Sequence, residues 1–73
     1  MKKKHMWLVI SGVDEDGRIF GSFLSYKHLK PYFDGSTNYE DREVLPSEVI
    51  NALKNAISVT TKNNCVVIHF LTK

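Results

Sequence analysis

Apolar residues in this chain gather into short stretches separated by turn-forming clusters, and the period of each stretch identifies an element. From His5 to Val13 the residues are mostly β-branched, aromatic or aliphatic. They stop at Asp14-Glu15-Asp16-Gly17, which ends in the Asp-Gly pair favoured in hairpin loops. Arg18 to Lys27 resumes with Ile19, Phe20, Phe23, Leu24 and Tyr26, so the chain up to Lys27 reads as a β-hairpin. Residues 28–45 hold no sustained period and contain Pro31, Asp34-Gly35 and a polar run, which predicts a long loop. Pro46-Ser47-Glu48 then opens a helix, with proline in the first turn and an acid at the positive end of the dipole. Val49, Ile50, Leu53, Ala56 and Ile57 continue it as one apolar stripe. Asn63-Asn64 cap or turn the chain before a last strand, Cys65 to Thr72.

These elements predict an α+β fold, a small ββαβ domain. Its three-stranded, mainly antiparallel sheet has the order 2-1-3, with one helix packed on one face. The order 1-2-3, with the last strand parallel to the second, is the alternative. Residues 1–73 form a single domain, with 1–4 as a basic N-terminal arm.

Alternation assigns Met6, Leu8, Ile10, Phe20, Leu24, Val66, Ile68 and Phe70 to the face beneath the helix. The opposite parity carries Trp7, Val9, Ile19, Phe23, Cys65, Val67 and Leu71, where a one-sided antiparallel sheet would be polar. One helix cannot cover both faces. Either the long loop folds back, with Tyr32 and Phe33 as a second layer, or a second chain lies there, an identical subunit or a foreign protein. The expected interface is therefore Trp7, Val9, Ile19, Phe23, Val67, His69 and Leu71, with His69 at a contact sensitive to pH near 6.5. Energetics favour a partner: burial and chain ordering are each worth about 110 kcal/mol for a chain of this size, so they cancel.

Composition adds little. At 42% hydrophobic and 25% charged, the chain is an ordinary globular domain, neither disordered nor disulfide-rich. The net charge of +2 is too small to argue for nucleic acid alone, although the acids concentrate in 14–17 and 31–48. The five apolar residues Met6–Ile10 behind Met1-Lys2-Lys3-Lys4 are too short a run for a secretory signal. One unpaired cysteine, no export signal and no lipidation motif favour the cytoplasm, with no membrane partner.

Several motifs fail on chemistry. Gly12-x4-Gly17-Arg18-Ile19 has P-loop glycine spacing but lacks the lysine and hydroxyl, and its three carboxylates would repel phosphate. Asp14-x-Asp16 starts like a calcium loop, yet its twelfth position is Ser25. The Arg18–Tyr26 strand resembles the aromatic strand of an RNA-recognition domain, but Phe20 and Phe23 point to opposite faces. His5, His28, His69 and Cys65 show no zinc-pair spacing, and nothing near Cys65 in sequence would activate it as a nucleophile. No carboxylate pair is positioned by regular structure for general acid and base work. The reading has no catalytic residue, metal, cofactor or small-molecule substrate.

The expected function is a non-enzymatic protein-protein interaction domain, using an exposed apolar sheet face for homodimerisation or partner binding. Compact chains of this kind include adaptors and inhibitors encoded by phages and mobile elements. The alternative is a nucleic-acid-binding module using Lys2, Lys3, Lys4, Lys27 and Lys30, which a 2-1-3 sheet would gather at one end.

Overall fold

The computed structural model describes residues 3–35 and 40–72. It is an α+β fold whose elements run β1 (Lys4–Val13), β2 (Ile19–Leu24), α1 (Tyr26–Asp34), β3 (Arg42–Val44), α2 (Pro46–Lys54), β4 (Ala56–Lys62) and β5 (Cys65–Thr72). The five strands form one antiparallel sheet in the order β3-β2-β1-β5-β4. This corrects the expected three-stranded ββαβ domain with a single helix, since two strands and a helix were hidden in stretches read otherwise.

Segment 28–45, expected as a loop, holds most of α1 and all of β3. Pro31 sits inside α1 and suggests a break, but Tyr26, Leu29, Tyr32 and Phe33 already recur at helical spacing. Ser25 precedes the helix in extended conformation, and Gly35 ends it at φ 69°, a left-handed conformation that glycine adopts without a Cβ penalty. Tyr32 donates a hydrogen bond to Asp41 Oδ1 at 2.8 Å, and Ser22 of β2 donates to the same oxygen at 3.0 Å, tying α1 to the sheet. Burial pushes the Tyr32 hydroxyl up to about 12, helped by the Asp41 carboxylate. Burial also disfavours the Asp41 carboxylate, but hydrogen bonds from Ser11, Tyr32 and Ser22 outweigh it and hold the group below its usual range.

The second helix ends earlier than its apolar stripe suggests. Leu45 N–H donates to Glu48 Oε1 at 3.0 Å, and Glu48 also takes a two-pronged contact from Arg42, at 3.2 and 2.9 Å. At the other end Asn55 caps the helix, its side-chain amide donating to the Asn51 carbonyl at 2.9 Å. Ala56 and Ile57 then belong to β4, and the β-branched run Val59-Thr60-Thr61 continues that strand. The β4–β5 hairpin closes through Asn63-Asn64, both at positive φ, 51° and 66°, the type I′ geometry that asparagine tolerates.

Both sheet faces are covered by the chain itself. Beneath α2 lie Leu8, Val44, Ala52, Ile68 and Phe70, flanked by Met6, Ile10, Ile19, Phe23 and Val49. Beneath α1 lie Val9, Leu24 and Val67, packed by Leu29, Tyr32 and Phe33. Of the two covers expected for the second face, the folded-back segment is the one the chain uses. The register pairs Leu8 with Phe23 and Trp7 with Leu24, so β2 presents the opposite parity from that expected. Alternation shows which residues of one strand share a face; only register relates that face to the neighbouring strand.

Candidate interaction surfaces

The expected interface residues divide among three environments. Val9 and Val67 are buried beneath α1, while Trp7 and Leu71 share that face half-buried. Ile19 and Phe23 lie on the α2 face. There Phe23 meets Phe70 edge-on, with ring centroids 6.1 Å apart, and carries the Arg42 guanidinium 4.9 Å above its ring. The structure does not assemble these residues into one open surface.

It does bring together two histidines far apart in sequence. The β1–β5 register sets His69 opposite Trp7 and Leu71 opposite His5. His5 Nδ1 and His69 Nε2 come within 2.8 Å, and the His69 ring stacks on Trp7 at 4.2 Å and 6°. Tyr26, at the start of α1, also lies against Trp7, with ring centroids 5.5 Å apart. Two imidazoles supply half of a tetrahedral shell, and among the described residues no group of three or more His, Cys, Asp or Glu converges. Burial and the neighbouring His5 hold His69 below the usual imidazole range.

Because burial and His5 depress His69 in the fold, its neutral form contributes stability above about pH 6.5, which is lost as pH falls through the lowered value. An imidazolium over an indole face quenches its emission, and Trp7 is the one tryptophan of the chain. Fluorescence is therefore expected to fall on acidification from about pH 7.5 to about 5, with a midpoint below about 6.5. In a His69→Gln variant this titration should lose most of its amplitude, since the His69 ring lies at 4.2 Å from Trp7 and the His5 ring at 6.3 Å; a titration of unchanged size would place the quencher elsewhere.

The basic residues also divide. Lys27 and Lys30 of α1 line a groove of about 510 Å³ with Lys62 of β4, Tyr26, Leu29 and Asp34, and the Lys62 ammonium sits 5.1 Å above the Phe33 ring. Lys3 borders a different hollow, beside Lys54 and Leu71, and Lys4 is exposed at the start of β1. Lys2 lies outside the described residues. Cys65 faces the α1 side half-buried, and burial together with the Asp41 carboxylate pushes its thiol up, which favours the unreactive form.

The apolar surface left open lies on the α2 side and along β4. Ile50 and Leu53 of α2, one turn apart, are each about half exposed, as are Ile57 and Val59 of β4. Val59 pairs with Ile68, and Val66 pairs with both Ile10 and Thr61, so Val59 and Val66 share the face on which α2 packs. Beyond β4 the sheet has no further strand among the described residues. Sequence reading missed this surface because it took Ile57 for a helical core position. The signal available was the β-branched run leading into Asn63-Asn64.

Among the described residues no helix is long and apolar enough to cross a membrane. Comparison with protein-family models, with curated proteins and with solved structures found no match for the chain.

Proposed function

We propose that this chain is a small, non-enzymatic protein-interaction domain whose contact surface is the apolar strip formed by β4 and the outer side of α2. The observation that carries the reading is β4 itself, a seven-residue strand lying open along one edge with Ile57 and Val59 each 52% exposed. Isolated exposed aliphatic residues are ordinary on a protein surface. Several of them beside an unpaired strand edge form a docking template.

The test is capture of protein by the immobilised wild type and by an Ile57→Ser/Val59→Ser variant. Retention lost in the variant supports the reading, whether the retained species is the chain itself or a foreign protein. Retention unchanged in the variant contradicts it. The groove between Lys27, Lys30 and Lys62, with Tyr26 exposed at its rim, supports a second reading as a polyanion site. That reading requires an oligonucleotide mobility shift that weakens steeply with salt and is lost in Lys27→Ala/Lys30→Ala.

A further inference from the structure

We infer that His5 and His69 together hold one late first-row divalent metal ion, copper(II) most tightly, with water or an external ligand on its remaining positions. The pair lies on the α1 side of the sheet, opposite the face that Val59 shares with α2, so it is independent of the protein-interaction reading.

The fold brings these two side chains together from positions 64 residues apart. In the β1–β5 register Trp7 faces His69 and His5 faces Leu71, which makes the histidines diagonal neighbours on one face of adjoining strands. Each of those strands is paired on both sides, β1 between β2 and β5 and β5 between β1 and β4, so the backbone beneath the pair is fixed. Trp7 stacks flat on His69 at 4.2 Å and 6°, which fixes that ring as well, while His5 is exposed and able to turn. A chelating pair held this way loses little conformational freedom when an ion arrives.

Distance selects the ion. His5 Nδ1 and His69 Nε2 are 2.8 Å apart. Metal–imidazole bonds of about 2.0–2.1 Å put two nitrogens about 2.9 Å apart at a right angle and about 3.3 Å apart at a tetrahedral one. The pair matches the right angle of square-planar or tetragonal copper(II), and nitrogen ligands in general hold copper(II) more tightly than nickel(II) or zinc(II). One proton lies between the two nitrogens without the ion; in a neutral pair the donating ring moves it to its other nitrogen, and both lone pairs then face the metal. No third His, Cys, Asp or Glu joins them among the described residues, and Cys65, four residues along β5, is about 13 Å away by strand rise. The half of the shell left to solvent suits an exchangeable ion rather than a structural one.

Titration with copper(II), and with nickel(II) as a probe that does not oxidise the Cys65 thiol, tests the inference. Trp7 emission follows binding, because a paramagnetic ion on the imidazole stacked against the indole quenches it. Unfolding in urea follows the consequence: an unfolded chain keeps its histidines apart, so an ion held by one of them adds no stability, whereas an ion held by both favours the fold. The wild type is expected to bind one ion per chain, and its urea midpoint to rise by about 1 M for each tenfold of ion above saturation. His5→Gln and His69→Gln are each expected to weaken binding at least about tenfold and to remove the rise. His28→Gln, at a histidine that lines a separate hollow with Glu40 and Arg42, is expected to change neither. His5→Gln alters an exposed side chain and keeps the test valid if His69→Gln loosens the Trp7 stack. A midpoint that ignores the ion, or a rise that survives the loss of His5 or of His69, overturns the site and leaves an adventitious ion only.

Discussion

Replacing Gly21 by alanine is expected to lower stability by more than about 3 kcal/mol, a large share of the roughly 4–11 kcal/mol available to a domain of this length. Gly21 is buried at the middle of β2, paired with Ile10 on one side and Arg42 on the other. A Cβ there would run into the carbonyl oxygen of Val9, with the Val9 carbonyl carbon at 3.0 Å and the Ile10 Cα at 3.1 Å. These are backbone atoms of the central strand and cannot swing aside. Relief requires β1 and β2 to separate, which costs ladder hydrogen bonds and opens both cores together. Gly12, beside the bulge in β1, supplies the control, since a Cβ there meets nothing within 4 Å. In urea, Gly21→Ala should move the unfolding midpoint down by about 3 M at a slope near 1 kcal/mol per molar, and Gly12→Ala should move it little.

Leu8→Ala is the second large effect. Leu8 is fully buried, on the central strand, in the cluster with Val44, Ala52, Ile68 and Phe70. Losing its three outer carbons removes transfer energy and leaves a cavity between a helix and a sheet that cannot close around it. A cost of about 3 kcal/mol is expected from comparable leucine truncations. Val9, the next residue, points to the other face and is equally buried. A Val9→Ala change measured beside it should cost at least about 1 kcal/mol, because α1 closes that face as α2 closes the first. A negligible cost at Val9 would mean that α1 is not held against the sheet in solution.

The elements legible in the sequence were those whose local signals agree. The Asp-Gly turn, the alternation on either side of it and the proline at the start of α2 each have a single physical reading. The missed elements carried conflicting signals. Pro31 argues against a helix that Leu29, Tyr32 and Phe33 build by packing over Val9 and Val67. Ala56 and Ile57 extend the apolar stripe of α2 although the chain has already turned at Asn55. At α1 tertiary burial outweighs local propensity, whereas at β4, which is almost wholly exposed, the β-branched run Val59-Thr60-Thr61 outweighs the helical spacing of Ala56 and Ile57.

The site was legible as a problem rather than as a place. Apolar residues on both parities of the strands demand two covers, and α1 is the cover that went unseen. The surplus apolar surface then falls on α2 and β4, where Ile57 reads in the sequence as part of the helical stripe. The convergence of His5 and His69 was hidden because ligand spacing is sought along the chain, whereas the β1–β5 register joins positions 64 residues apart.

The most direct measurement on the open edge is amide hydrogen exchange at Val59 and Thr61, followed by nuclear magnetic resonance in dilute solution. The β4–β5 register turns these two amides away from β5, so they are expected to exchange freely while amides of Leu8 and Ile68 in the core stay protected. Protection at Val59 and Thr61 as strong as in the core would contradict an edge left open for a partner.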